Sequence, residues 1–435
     1  MTTKRTLLAA LLASGLVLTA CSSEDSKDSN GSNGSNNSTN QSAQADASHE
    51  HDHAHDHEGD SKQEEVAGPQ PRLVATYDGG ILTLDAETLE VINDTKLDGF
   101  NRLNQLGDGR TVLVSTKDGF QIFDAGAWTE PHGDHTHSYT VTPSLKDHTY
   151  EAVKPGHVVV HEGRALLFGD GDGSIQDISL SDVKRANKRM GFAKPEKTTK
   201  VHPHHGVAVA LPDGGMVHTE GTEDERHTVV AVDKDGKETA RTEDCPGVHG
   251  EAPAAGAITV GCQDGIVIFK NGAFQKVKSK DSYGRIGNQA GSEESPVVLG
   301  DYKVDKDAEL ERPTRVTLTN TETGELKIVD VEASYSFRSL GRGPEGEALI
   351  LGTDGNLRKI DPKTGEITGK YKVTEEWKEP EKWQKERPTL FVLGDVAYVS
   401  EPQSKKLHAV DIKSGKIIKT VETPEALNEL NGVEG

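Results

Sequence analysis

Basic residues, aromatic side chains, thiols and long apolar runs are all scarce in this chain of 435 residues. Against 71 Asp+Glu stand only 49 Lys+Arg, a formal net charge of −22. A polyanion needs a basic face to bind to, so nucleic acid is not an expected partner. Aromatics make up 5% and hydrophobic residues 33%, beside 46 Gly and 18 Pro. That balance is poor for a helical core and ordinary for many short strands joined by turns. One apolar stretch, residues 7–20, is too short to span a bilayer, and no other segment approaches the required length. No G-x-S-x-G, P-loop, H-E-x-x-H or EF-hand loop occurs, so the common catalytic signatures are missing as well.

What is present begins at the N-terminus. Lys4 and Arg5 precede the apolar stretch, which ends Leu18-Thr19-Ala20 before Cys21, and residues 1–20 read as an export signal. The ending resembles a bacterial lipobox, so Cys21 is expected to carry a diacylglyceryl group and hold the mature protein at the outer face of the cytoplasmic membrane. Two acyl chains suffice for stable anchoring, where one is marginal. Residues 21–70 read as a disordered tether, rich in Ser and Asn at first. Its second half carries His49, His51, His53, His55 and His57, interleaved with acids. A mobile segment needs no fixed face to gather several nitrogens around an ion. Neutral imidazole suits Zn, Ni and Cu, while the carboxylates concentrate cations locally.

From Pro71 to the C-terminus one phrase recurs: a short apolar strand, a D-G turn, a second strand, then a D-x-x-T/S-G turn. YDGGILTLD (77–85) and QDGIVIFK (263–270) show the first turn; DPKTGEI (361–367) and DIKSGKI (411–417) show the second. The spacing of about 47 residues, with four strands per unit, is that of a propeller blade. The fold expected over 71–435 is therefore an all-β, eight-bladed β-propeller, with seven blades as the alternative because 276–332 is irregular. The first unit lacks a leading strand, and the chain ends in ALNELNGVEG, which resembles a lone leading strand. If it completes the first unit, the ring closes with no free edge.

In a propeller the residues just before each leading strand converge on one mouth of the central channel. Those positions hold Arg102, His157, His205, His249, Asn288, Arg338 and Arg387, so three consecutive blades offer histidine. Three imidazoles plus a carboxylate, a further imidazole or water make a tetrahedral Zn²⁺ site. His135 and His137 lie on the preceding connection, and Glu251 is placed to accept from a ligating imidazole. Cys245 and Cys262 are expected to form a disulfide in an oxidising space, which ties down the loop carrying His249; a cysteine ligand is the competing reading.

The phrases D-H-x-H-S-Y (134–139), K-P-G-H-V-V-x-H-x-G (154–163), H-H-G-V-A-V (204–209), C-P-G-x-H-G-E-A (245–252) and F-R-S-L-G-R-G (337–343) resemble the AztD-type zinc metallochaperones of bacteria. The resemblance implies a non-enzymatic carrier that binds Zn²⁺ outside the cytoplasm and passes it to the solute-binding protein of a zinc ABC transporter. It implies ligands among His135, His137, His157, His205 and His249, with the tether histidines serving acquisition or transfer. The lipobox and long spacer depart from freely soluble members and favour tethered delivery by a monomer. Two other readings remain open here: a lactonase- or lyase-type propeller enzyme using Arg102, Arg338 and Arg387 with a channel metal, and a scaffold that only buffers metal.

Overall fold

A computed structural model describes residues 62–435. The signal peptide, Cys21 and the tether histidines His49, His51, His53, His55 and His57 lie outside the described residues. The described chain is all-β: eight four-stranded antiparallel sheets and one three-stranded sheet. It contains one short α-helix, Leu180–Asn187, capped by the Ser179 side chain, and no helix among the described residues is long and apolar enough to cross a membrane.

Six of the eight four-stranded sheets are built from neighbours in sequence, as in Pro155–His161, Arg164–Gly169, Ser174–Ser179 and Lys197–Lys200. The two turn phrases explain why. In the D-G turns, Gly119 and Gly265 take φ of 136° and 134°, and a Cβ there would run into the carbonyls of Tyr150 and Val277. In the second turns an acidic or amide side chain caps the loop: Asp361 Oδ1 accepts from the backbone of Lys363 and Thr364, each at 2.8 Å. Strand pairing is then local, and the second and third strands bury both faces, whereas outer strands such as Val91–Lys96 stay half exposed.

Packing between sheets explains the low aromatic content. Leu73, Leu82 and Leu84 of one sheet meet Tyr398, Leu407 and Ala409 of another. Val209, Val217 and Val229 meet Ile258, Val260 and Val267. Wedge interfaces of this kind are filled by aliphatic side chains, each contributing about 1.5–3 kcal/mol when fully buried. Leading strands of successive sheets touch in order from Arg102–Gln105 through Pro155–His161 to Ala208–Ala210, and again from Glu251–Ala254 to Leu430–Val433, which returns to Arg102–Gln105. The C-terminal strand does complete the first sheet: Val433 pairs with Arg72 and Leu430 with Ala75.

Two features depart from the expected outline. The tether was placed at 21–70, yet Glu64–Val66 is a strand, paired with His135–Thr140. It forms the edge of the three-stranded sheet whose hairpin, Ala127–His132 and His135–Thr140, is inserted between strands Gly119–Asp124 and Ser144–Glu151. The irregular stretch does form a four-stranded sheet, but its leading strand is only Gln289–Ala290.

Candidate metal centre

His157 sits in the leading strand Pro155–His161 at a break in the ladder register between Pro155 and Val158. Such a bulge re-aims a side chain. Gly156 beside it leaves room for the Asp170 carboxylate, which a Cβ would overlap. His205 and His249 come from the loops before Ala208–Ala210 and Glu251–Ala254. The ring centroids are 5.1 Å apart for His157 and His205, 4.9 Å for His205 and His249, and 5.9 Å for His157 and His249. One ligating atom from each lies within 4.8 Å of the others.

The far nitrogens of His205 and His249 are committed. Asp170 Oδ2 is 2.5 Å from His205 Nδ1, and the Gly287 carbonyl is 2.7 Å from His249 Nδ1. Glu251 Oε2 stands 3.1 Å from His157 Nδ1, near enough for an ion pair but off the direction of a hydrogen bond, so this buried oxygen has no hydrogen-bond partner. With Nδ1 occupied, Nε2 is the free ligand atom, and Nε2 of His205 and His249 are 3.1 Å apart. Burial, reinforced by His157 and Arg285, pushes the His249 pKa well below its ordinary value and keeps that imidazole neutral. Burial also opposes a charged His157, but the Glu251 carboxylate outweighs it and raises the His157 pKa.

Cys245 and Cys262 are bonded to each other, so neither is a ligand. The bond fastens the loop of His249 to strand Ala257–Cys262, where the His249 N–H donates to Gly261 O at 3.0 Å and the Gly261 N–H to Gly250 O at 3.1 Å.

His135 and His137 do not join this centre. They form a separate group with His132, which the sequence reading did not include among its ligands. His132 and His135 face each other across the Gly133-Asp134 turn, and His137 follows two residues on, so all three share one face of the hairpin. His137 Nε2 is 3.2 Å from His132 Nδ1 and 3.0 Å from His135 Nε2. Here too outer nitrogens have acceptors: Asp134 Oδ1 at 3.1 Å from His135 Nδ1, and Glu65 Oε1 at 2.5 Å from His137 Nδ1. The sequence signal for His132 was its mirror position across a two-residue turn. Glu65 gave none, because it lies in the segment assigned to the tether.

The arginines of the channel positions are tied down. Arg338 pairs with Glu429 at 2.6 Å and Arg387 with Glu379 at 2.7 Å, both buried, and burial brings the Arg338 pKa down to about 10. Arg102 lies 3.7 Å from the same Glu429. His161, His218 and His408 bond locally to Ala210 O, Thr219 O and Thr420 Oγ1, and His148 stacks on Phe192.

No family model matches the chain. A curated relative, the zinc chaperone AztD of Citrobacter koseri, is 26% identical over 348 residues, which is 75% of this chain and 79% of that protein. A crystal structure of Citrobacter koseri AztD has a TM-score of 0.71 at 23% identity, covering 85% of this chain and 99% of that one. The apo AztD structure from the same organism has a TM-score of 0.69 at 22% identity, with the same coverage. Dihydro-heme d1 dehydrogenase NirN, at a TM-score of 0.54 and 12% identity over 84% of this chain and 76% of that one, shares the fold alone. In sequence over three quarters of its length, and in fold, the chain is similar to AztD.

Proposed function

We propose that this chain is an extracytoplasmic zinc chaperone, a carrier and not an enzyme, which captures Zn²⁺ and passes it to the solute-binding protein of a zinc ABC transporter. The observation that carries the reading is the convergence of His157, His205 and His249 from three successive sheets, with the outer nitrogens of His205 and His249 already held and the Glu251 carboxylate beside that of His157. Three imidazole nitrogens around one point with an open fourth position suit Zn²⁺, whose filled d shell tolerates changing coordination. The eight four-stranded sheets are the blades of an eight-bladed propeller, and that ring fixes the three histidines relative to one another. An enzyme reading loses its substrate-binding set, because Arg338 and Arg387 are spent on Glu429 and Glu379.

His132, His135 and His137 form a second, exposed zinc site, and His49, His51, His53, His55 and His57 form an acquisition segment upstream of it. Zinc moves by ligand exchange. Exposed imidazoles take it up fast, the channel triad holds it, and a docked acceptor removes it one ligand at a time. A diacylglyceryl anchor at Cys21 confines the monomer to the outer membrane face, where its importer works. Zinc titration against a competing chelator tests the channel site: His205→Ala and His249→Ala are each expected to lose the tight ion, and unchanged affinity in both overturns the site. Transfer of labelled zinc to the solute-binding protein in the presence of excess chelator separates a chaperone from a buffer.

A further inference from the structure

In a chain of net charge −22, residues 180–200 hold seven Lys and Arg and only two acids, Asp182 and Glu196. They form helix Leu180–Asn187 and its return to strand Lys197–Lys200. Leu180, Val183, Ala186 and Ala193 join the core around Leu167 and Ile178, and Phe192 packs on Tyr150, so the inner face is fixed. Lys184, Arg185, Lys188, Arg189 and Lys194 are exposed on the outside. Arg185 pairs with Asp182, and Lys188 pairs with Glu130 at 2.8 Å; Lys184, Arg189 and Lys194 pair with no carboxylate among the described residues. Next to Arg189 stands Met190, 88% exposed. Arg185, Arg189, Phe192 and Lys194 line an open groove of about 530 Å³ between the helix and its return.

This surface lies away from the channel triad. The Leu180 N–H donates at 3.0 Å to Gly163 O, in the turn that follows strand Pro155–His161, while His157 stands near that strand's start. Asn187 Nδ2 donates at 2.8 Å to Asp108 Oδ2, and the Lys188 ion pair reaches hairpin strand Ala127–His132. Glu64–Val66 is the far edge of that hairpin's sheet, so the described chain begins beside the basic surface. The acyl anchor proposed at Cys21 therefore attaches through the same side of the molecule. An anionic bilayer repels an acidic chain except where cations are gathered. Four to eight Lys and Arg around one helix, with an apolar side chain at its tip, is the pattern that binds anionic lipid.

We infer that helix Leu180–Asn187 and the turn after it are a membrane-docking surface for anionic phospholipid. Arg185, Arg189 and Lys194 hold headgroup phosphates at the groove, Lys184 and Lys188 add charge, and Met190 enters the interface. The acyl chains supply retention and this surface supplies orientation. Docked through it, the protein turns the channel mouth away from the bilayer and keeps the hairpin beside it. The inference rests on the Cys21 anchor for its membrane, and the two fail separately: incorporation of labelled fatty acid reports the anchor, and unacylated protein reports the surface.

The test uses the chain from residue 21 onward with Cys21→Ser, which carries no acyl group, and a chelator so that no metal bridges protein to phosphate. Sedimentation with vesicles of phosphatidylglycerol and phosphatidylcholine in equal parts is expected to show saturable binding. It is expected to be absent with phosphatidylcholine alone and lost as salt rises from about 50 to 500 mM. Lys184→Glu/Arg189→Glu/Lys194→Glu is expected to weaken binding at least about tenfold, with the urea midpoint unchanged because all three side chains are exposed. Met190→Ser is expected to weaken it a few-fold. Lys378→Glu/Lys382→Glu/Lys385→Glu makes the same charge change on exposed residues of the loop before leading strand Leu390–Leu393, and is expected to cost much less. No binding by the parent chain, or equal losses in the two triple variants, overturns the docking surface. Binding that emerges only with Glu50→Gln, Asp52→Asn, Asp56→Asn, Glu58→Gln and Asp60→Asn together assigns the surface to the chain's own tether and overturns the membrane contact.

Discussion

The two histidine triads have the same ligand count and opposite surroundings. The channel triad draws on three sheets, and its loops are held by a disulfide, a backbone carbonyl and a carboxylate. The hairpin triad sits on one two-stranded turn, exposed at His132 and His135 and half-buried at His137, steadied by Asp134 and by Glu65 from a three-residue edge strand. Preorganisation lowers the cost of ordering ligands around an ion, and exposure lowers the barrier to losing it. On the proposed function, the contrast predicts a division of labour, with exchange at the hairpin and storage in the channel.

The sharpest way to break this contrast is to remove one imidazole from each. His249→Ala is expected to weaken the tight ion by more than about 100-fold, the upper range for losing a supporting group alone. His135→Ala is expected to leave that ion untouched and abolish only a weaker, faster one. Calorimetric titration in competition with a chelator reads both, and a loss of the tight ion in His135→Ala would reverse the assignment.

The disulfide comes next. Its loop spans 17 residues, for which chain entropy gives about 3 kcal/mol of stability. Cys245→Ser/Cys262→Ser is expected to lose that much in urea unfolding and to release channel zinc faster, because His249 loses its anchor to strand Ala257–Cys262. Hairpin release is expected not to change. Equal acceleration at both sites would mean that the bond stabilises the whole ring and not the loop.

A smaller effect separates the supporting carboxylates. Asp170→Ala leaves His205 Nδ1 without its half-buried partner and is expected to cost about tenfold or more in channel affinity. Glu65 is exposed, so water replaces it, and Glu65→Ala is expected to change hairpin affinity only a few-fold. Titration of each variant at its own site decides; a larger loss for Glu65 would make the edge strand, and not the hairpin alone, the organiser of that site.

Much of this was legible in the sequence, and the limits are physical. The D-G and D-x-x-T/S-G phrases specify turns locally, so the sheets followed from them, and the closing strand followed from a first unit without a leading strand and a C-terminus that resembles one. His157, His205 and His249 were found because a repeat makes positions comparable. Glu64–Val66 was not found: three residues at a sheet edge carry no periodicity, and their pairing with His135–Thr140 is long-range. The same distance hid the division of the histidines into two groups. Gly287 acts through a backbone carbonyl, which any residue supplies.

The gentlest probe is pH, because it acts on the fold apart from the metal. His218 and His408 are buried away from both triads, and burial depresses the pKa of each; for His408 the Glu401 carboxylate opposes this without reversing it. The unfolded chain takes up protons at an ordinary histidine pKa near 6.5, while the folded chain refuses them until a lower pH. Below about 6.5 the unfolded state therefore binds more protons, and stability falls as pH falls through the window between the two values. Zinc-free protein is expected to show a flat urea midpoint from about pH 8 to 7 and a decline toward 5.5, with a shallower decline in His218→Gln. A midpoint level down to 5.5 would mean that these histidines gain charge in place. Acid loss of zinc would then report on the triads alone, with the propeller as an unchanged frame.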